Sequence, residues 1–185
     1  MAETPSVMIP LGTPAPSFKL PDVVSGKTLS LNELQSKVAT VVLFICNHCP
    51  YVKHIQPKLL ELINNYQEKG VSFIAINSND AENYPADNPE KMREEATQKN
   101  FSFPYLYDES QQVARAYQAA CTPDIYVFDP HLNCVYRGRF DESTPGNGKT
   151  VTGQDLREAL DNVLSGKPIN KDQKPSVGCN IKWKK

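Results

Sequence analysis

Residues 38–45, VATVVLFI, form an apolar, β-branched run that ends directly on Cys46. A run apolar at every position but Thr40, and so apolar on both faces, suits a strand buried on both faces. Immediately after it, from Pro50, the period changes. Val52, Ile55, Leu59, Leu62 and Tyr66 recur at intervals of three and four, which puts them on one face of a helix ending near Gly70. A second apolar run, 71-VSFIAIN-77, follows. Strand, helix, strand in this order predicts a βαβ unit with a parallel pair, and with it an α/β fold.

The rest of the chain extends that frame. Asn88-Pro89 signals a helix start, continuing to about Asn100, and the polar segment before it, 79-NDAENYPADN-88, reads as an exposed loop. A helix capped by Asp108 or Ser110 is expected through about Ala119, and 125-IYVFD-129 with 133-NCVYRGRF-140 reads as a hairpin. Thr152 with Asp155 resembles a capping box for a last helix ending at Gly166. The proline-rich start should run extended, and 22-DVVSGKTLSL-31 suits a short hairpin. The predicted organisation is one domain over residues 1–166 and a basic tail over 167–185, which Ile181 and Trp183 could anchor.

Composition narrows the function. A formal net charge of −1, from 20 basic and 21 acidic residues, leaves no footprint for nucleic acid or an anionic membrane. No apolar run approaches the roughly 18 residues of a membrane span, and the first residues lack the basic and apolar regions of a secretory signal, so a cytoplasmic protein is expected. Five cysteines, Cys46, Cys49, Cys121, Cys134 and Cys179, are an odd number for a structural disulfide framework.

The predicted elements put Cys46 at the end of a central strand and Cys49 in the first turn of the next helix, where free N–H groups and the helix dipole favour an anion. The thiolate is the reactive form of cysteine, and free cysteine titrates near pH ~8.5. The helix N-terminus, the neighbouring Cys49 and His48 as a cation would each favour a thiolate on Cys46. Cys46 would then attack a disulfide and Cys49 would resolve the mixed disulfide. A metal clamp is the alternative, although structural zinc takes four closed ligands and no second Cys-x-x-Cys is present.

The chain resembles the thioredoxin-fold superfamily, in the branch of the AhpC/TSA peroxiredoxins and the TlpA/ResA thiol-disulfide oxidoreductases. Four ordered motifs carry the resemblance: 12-GTPAPSFKLPDVVSGKTLSL-31, the strand-Cys-x-x-Cys-helix, 104-PYLYDESQQVARAY-117 and 121-CTPDIYVFD-129. It implies a thioredoxin-like fold, a central mixed sheet flanked by helices with an N-terminal extension and a C-terminal tail. It also implies that Pro123 is a cis-proline facing the cysteine pair, with the Thr122 backbone receiving a substrate peptide by strand addition. The expected activity is disulfide exchange with a protein or small-molecule disulfide, using electrons from a dithiol protein and neither organic cofactor nor metal. Cys121, just before Thr122-Pro123, would lie across from the pair, where it could resolve a disulfide, complete a three-thiol metal site or simply pack. Cys179 could reach another thiol if the tail folds back.

The departures from the family pattern set the rival readings. Ile45 stands where thioredoxin has tryptophan, and His48 where it has proline. The peroxiredoxin Thr-x-x-Cys becomes Cys46-x-x-Cys49, and the arginine before the Phe-x-x-Asp strand is missing, which leaves Cys49 as the candidate for a peroxidase. Copper-delivery proteins of the Sco type share the fold, but they have three residues between their cysteines where this chain has two.

Overall fold

The computed structural model describes residues 3–185. In chain order the elements are β1 (Glu3–Pro5), β2 (Lys19–Pro21), β3 (Thr28–Ser30), α1 (Leu31–Leu34), β4 (Ala39–Phe44), α2 (Pro50–Gln67) and β5 (Val71–Asn77). A 3-10 turn (Pro85–Asp87) leads into α3 (Pro89–Gln98), followed by β6 (Tyr105–Tyr107), α4 (Gln112–Ala116), β7 (Cys121–Thr122), β8 (Asp124–Phe128), β9 (Cys134–Gly138), α5 (Gln154–Ser165) and β10 (Val177–Asn180).

A five-stranded sheet in the order β6-β5-β4-β8-β9 forms the centre. β4 pairs in parallel with β5, and β5 with β6, whereas β4–β8 and β8–β9 are antiparallel. The sheet is therefore evenly mixed, two parallel and two antiparallel pairs, with the predicted parallel βαβ pair and antiparallel hairpin both present. β4 is buried at every position, Thr40 included, as expected for a strand apolar on both faces. One face packs on α2 and α5 through Val52, Ile55, Leu59, Leu62, Leu156 and Leu160. Burying each such side chain contributes about 1.5–3 kcal/mol. The other face packs on Phe18, Leu20, Ala114, Tyr117 and Ile181.

Two predicted caps are built differently. The Asp108 carboxylate accepts from Ser78 Oγ and from Ala114 N inside α4, while the helix itself starts after Gln111 in a left-handed conformation (φ 62°). Thr152 and Asp155 do not form a capping box. Instead Asp141 Oδ2 accepts from Thr152 N and Gly153 N, both at 2.6 Å, and Asp155 pairs with Arg139 at 2.6 Å. Asp141 lies eleven residues before Thr152, outside the range of a local signal.

The tail is part of the fold. β10 lies between β1 and β7, antiparallel to both, and places Cys179 opposite Thr122. Ile181 is buried in the second core cluster and Trp183 packs against it, with the Arg115 guanidinium 4.4 Å above its ring.

Candidate redox site

β4 ends at Phe44 on the central strand, so Ile45 and Cys46 are delivered to the end of the sheet where α2 begins. Cys49 is the N-cap residue of α2, with Pro50 in the first helical turn, one position earlier than the sequence spacing suggested. Proline suits that place because its missing N–H would have had no partner there. Cys49 thus sits at the N-terminus of an 18-residue helix, where the Val52 amide favours its charged form.

The loop containing Pro123 closes the site. The Thr122–Pro123 peptide is cis. Thr122 Oγ1 lies 3.4 Å from Cys46 Sγ, and the Thr122 carbonyl lies 3.1 Å from Cys49 Sγ. A third thiol is present, and it is Cys179: its Sγ is 2.9 Å from Cys49 Sγ. Cys121 takes no such position. Successive residues of a strand point to opposite faces, so Thr122 facing the cysteine pair turns Cys121 away. Its thiol approaches only the Pro123 carbonyl, at 3.6 Å, and burial pushes its pKa far up. Cys134 is likewise a buried core thiol, held above its ordinary range by burial.

Strand addition at Thr122 also takes a different form. The register position implied for a substrate peptide is filled by Cys179 of the chain's own β10. Gly178 permits this close approach, since a Cβ there would meet the Thr122 carbonyl oxygen at 2.0 Å. Ser176 Oγ donates to the Pro123 carbonyl at 2.7 Å and extends the seam.

His48 faces a carboxylate missed by the sequence reading. Asp87 is fully buried, although its loop is polar and residues 82–86 are exposed. Its Oδ1 accepts from Asn47 N at 2.8 Å, and its Oδ2 from Asn79 Nδ2 at 2.8 Å. His48 Nδ1 lies 2.6 Å from Oδ2 but off the hydrogen-bonding axis, so the contact is that of an ion pair when the ring is protonated. Despite the opposing effect of burial, contacts with His48, Asn79 and the Asn47 amide hold Asp87 below the ordinary carboxylate range. The His48 ring stacks on Tyr84 at 5.7 Å. A helix-start signal at Asn88 was visible, but nothing local marks the residue before it as a buried anion.

These contacts decide where the negative charge sits. Cys49 is held well below the ordinary thiol range, chiefly by the Cys46 S–H, with smaller contributions from Cys179, Thr122 and the Val52 amide. Cys46 is correspondingly pushed up, first by that same interaction with Cys49, then by burial and the charge of Asp87. The sequence reading put the thiolate on Cys46 with His48 as its cation. The shifts run the other way, with Cys49 lowered and Cys46 raised chiefly through their mutual contact, burial and the Asp87 charge adding to the rise at Cys46. The Thr122 carbonyl, 3.1 Å from Cys49 Sγ, accepts an S–H from Cys49 when that thiol is neutral. Both cysteines are buried, Cys46 3% exposed and Cys49 0%.

A metal fits this arrangement poorly. Cys46, His48 and Asp87 bring one ligand atom each within 4.8 Å of one another, the sole such group among the described residues. Both Asp87 oxygens already accept amide hydrogens, and neither Cys49 nor Cys121 belongs to the group. A closed structural site takes four ligands.

Comparison with known proteins agrees with this architecture. The AhpC/TSA family matches residues 11–137. The thiol-disulfide oxidoreductase ResA of Geobacillus thermodenitrificans is 26% identical over 160 residues, covering 86% of this chain and 82% of that protein. An uncharacterized conserved protein from Geobacillus kaustophilus superposes with a TM-score of 0.98 at 56% identity, over 100% of this chain and 97% of that one. The thioredoxin domain of a thiol-disulfide oxidoreductase from Bacteroides vulgatus, 18% identical, has the same fold at a TM-score of 0.62, over 88% of this chain and 99% of that domain. With a thioredoxin-like fold and more than half of its length matched, the chain belongs to the AhpC/TSA family.

Proposed function

We propose that the protein is a thiol-disulfide oxidoreductase that cycles Cys46 and Cys49 between dithiol and disulfide, exchanging with a protein or small-molecule disulfide. The observation that carries this reading is the placement of both cysteines against the cis Thr122–Pro123 peptide where α2 begins, with Thr122 Oγ1 3.4 Å from Cys46 Sγ and the Thr122 carbonyl 3.1 Å from Cys49 Sγ. The kinship with ResA, a thiol-disulfide oxidoreductase, supports it.

In the reducing direction, Cys46 passes its proton to Cys49 and its sulfur attacks one sulfur of the partner disulfide. The partner's S–S bond breaks, a mixed disulfide forms on Cys46, and the first partner sulfur leaves as a thiolate. Cys49 then attacks Cys46 Sγ, closing the Cys46–Cys49 disulfide, and its proton goes to the second partner sulfur. A dithiol protein restores the pair by the reverse exchange. His48 and Asp87 fix the Asn47–Cys49 turn, and Thr122 Oγ1 faces the attacking sulfur. We place this chemistry in the cytoplasm, where thiols are kept reduced.

Substitution tests the assignment. Cys46→Ser is expected to abolish reduction of an insulin or glutathione disulfide, and Cys49→Ser to accumulate a mixed disulfide on Cys46. Full disulfide reduction by the Cys46→Ser protein would sink the assignment. A peroxidase reading, favoured by the charge on Cys49, requires peroxide to reach a fully buried sulfur. Rapid peroxide consumption that needs Cys49 but not Cys46 would establish that reading instead.

A further inference from the structure

We propose that Cys179 is a third redox-active thiol, which takes the disulfide over from Cys46–Cys49 by attacking Cys49 and forms a Cys49–Cys179 disulfide within the chain. The inference rests on the reading of Cys46 and Cys49 as the exchanging pair.

Three observations carry it. Cys179 Sγ lies 2.9 Å from Cys49 Sγ, inside van der Waals contact and about 1 Å longer than a disulfide bond. The approach is built by backbone pairing: Cys179 is registered against Thr122 in β7 and against Glu3 in β1. Gly178 admits the tail so close to the Thr122 carbonyl that no side chain would fit there. The tail is fixed further on, where Lys182 N donates to Asn79 Oδ1 at 2.9 Å and Gln111 Nε2 to the Lys182 carbonyl at 2.8 Å. β10 thus holds its own cysteine where an added substrate strand would hold one.

The step balances within the chain. Starting from the Cys46–Cys49 disulfide, the Cys179 sulfur attacks Cys49 Sγ, the Cys46–Cys49 bond breaks, and its electron pair leaves on Cys46. The proton lost by Cys179 is taken up by Cys46. One S–S bond is exchanged for another, with no net oxidant or reductant. Cys49 is the sulfur common to both contacts. In the reduced protein Cys179 is held up by burial, by its contact with Cys49 and by the Cys49 charge. Once Cys49 enters a disulfide that charge is gone, while Lys182 still favours the Cys179 thiolate. Cys179 is 2% exposed, and because oxidation reaches it through Cys49 its burial does not impede the step.

The test uses the full-length chain, wild type, Cys46→Ser, Cys179→Ser and Cys179→Ala, reduced, oxidised with glutathione disulfide, and mapped for disulfide-linked peptides. Wild type is expected to yield both Cys46–Cys49 and Cys49–Cys179 peptides. Cys46→Ser, which has no Cys46–Cys49 disulfide to start the transfer, should form no Cys49–Cys179 bond, and both Cys179 variants should yield Cys46–Cys49 alone. Absence of the Cys49–Cys179 peptide from wild type, or its full formation in Cys46→Ser, with Cys46–Cys49 forming in the Cys179 variants, would overturn the relay and leave the pair standing. Failure of both Cys179 variants to form Cys46–Cys49, in proteins that melt cooperatively, would overturn the pair itself and the transfer that begins from it.

Discussion

Asp87 and Asp124 are both buried carboxylates, and their surroundings drive them in opposite directions. Asp87 receives two amide hydrogens and faces His48, so it stays charged. Asp124 Oδ1 has no partner among the described residues, and Oδ2 has only the long contacts from Tyr126 Oη at 3.2 Å and Ala120 N at 3.4 Å. Burial therefore pushes Asp124 up to about 7. A carboxyl raised in the folded state contributes stability below its unfolded pKa near ~3.9 and loses it as pH rises through the folded value. Wild type is thus expected to lose stability relative to Asp124→Asn between about pH 4 and pH 7, on the order of 2–4 kcal/mol. Urea melts of both proteins at pH 5 and pH 8 check this, and an unchanged difference would refute it. Neither role was legible in sequence. Asp124 could be taken for a turn residue and Asp87 for loop polarity, because an acid's state depends on partners far along the chain.

Among the elements, the central strands and α2 were legible and β10 was not. β4 and α2 announce themselves by apolarity on both faces and by a period of three and four over many residues. β10 is four residues long, Val177–Asn180, too short for any alternation to separate from chance. Its place depends on β1 and β7, which are three and two residues long and equally silent alone. The same gap explains why Cys121 was expected at the site where Cys179 stands: the pleat that turns Thr122 inward turns its neighbour outward. Gly178 is the hinge of this arrangement. Gly178→Ala is expected to destabilise the protein by about 1–3 kcal/mol and to reduce the Cys49–Cys179 cross-link, because the new methyl must displace β10 from the Thr122 carbonyl. Denaturant melts and peptide mapping measure both effects, and unaltered stability with an unaltered cross-link would contradict the packing described.

At the scale of the molecule, the order of strands and helices and the four separated motifs were enough to anticipate a thioredoxin-like sheet with Cys46 and Cys49 at its end. What the order of elements could not convey is how the two chain ends meet: β1 and β10 close over the cysteine pair as a small sheet of their own. The site is therefore covered by its own termini, and the proposed exchange starts at Cys46, in the turn with Asn47 and His48 that precedes α2. The most direct test is to equilibrate the Cys179→Ser protein with glutathione buffers from about −350 to −100 mV and quantify alkylatable Cys46 and Cys49. The expected result is a single two-electron transition in which both thiols disappear together into one disulfide. Persistence of either as a free thiol at the oxidising end would contradict the account.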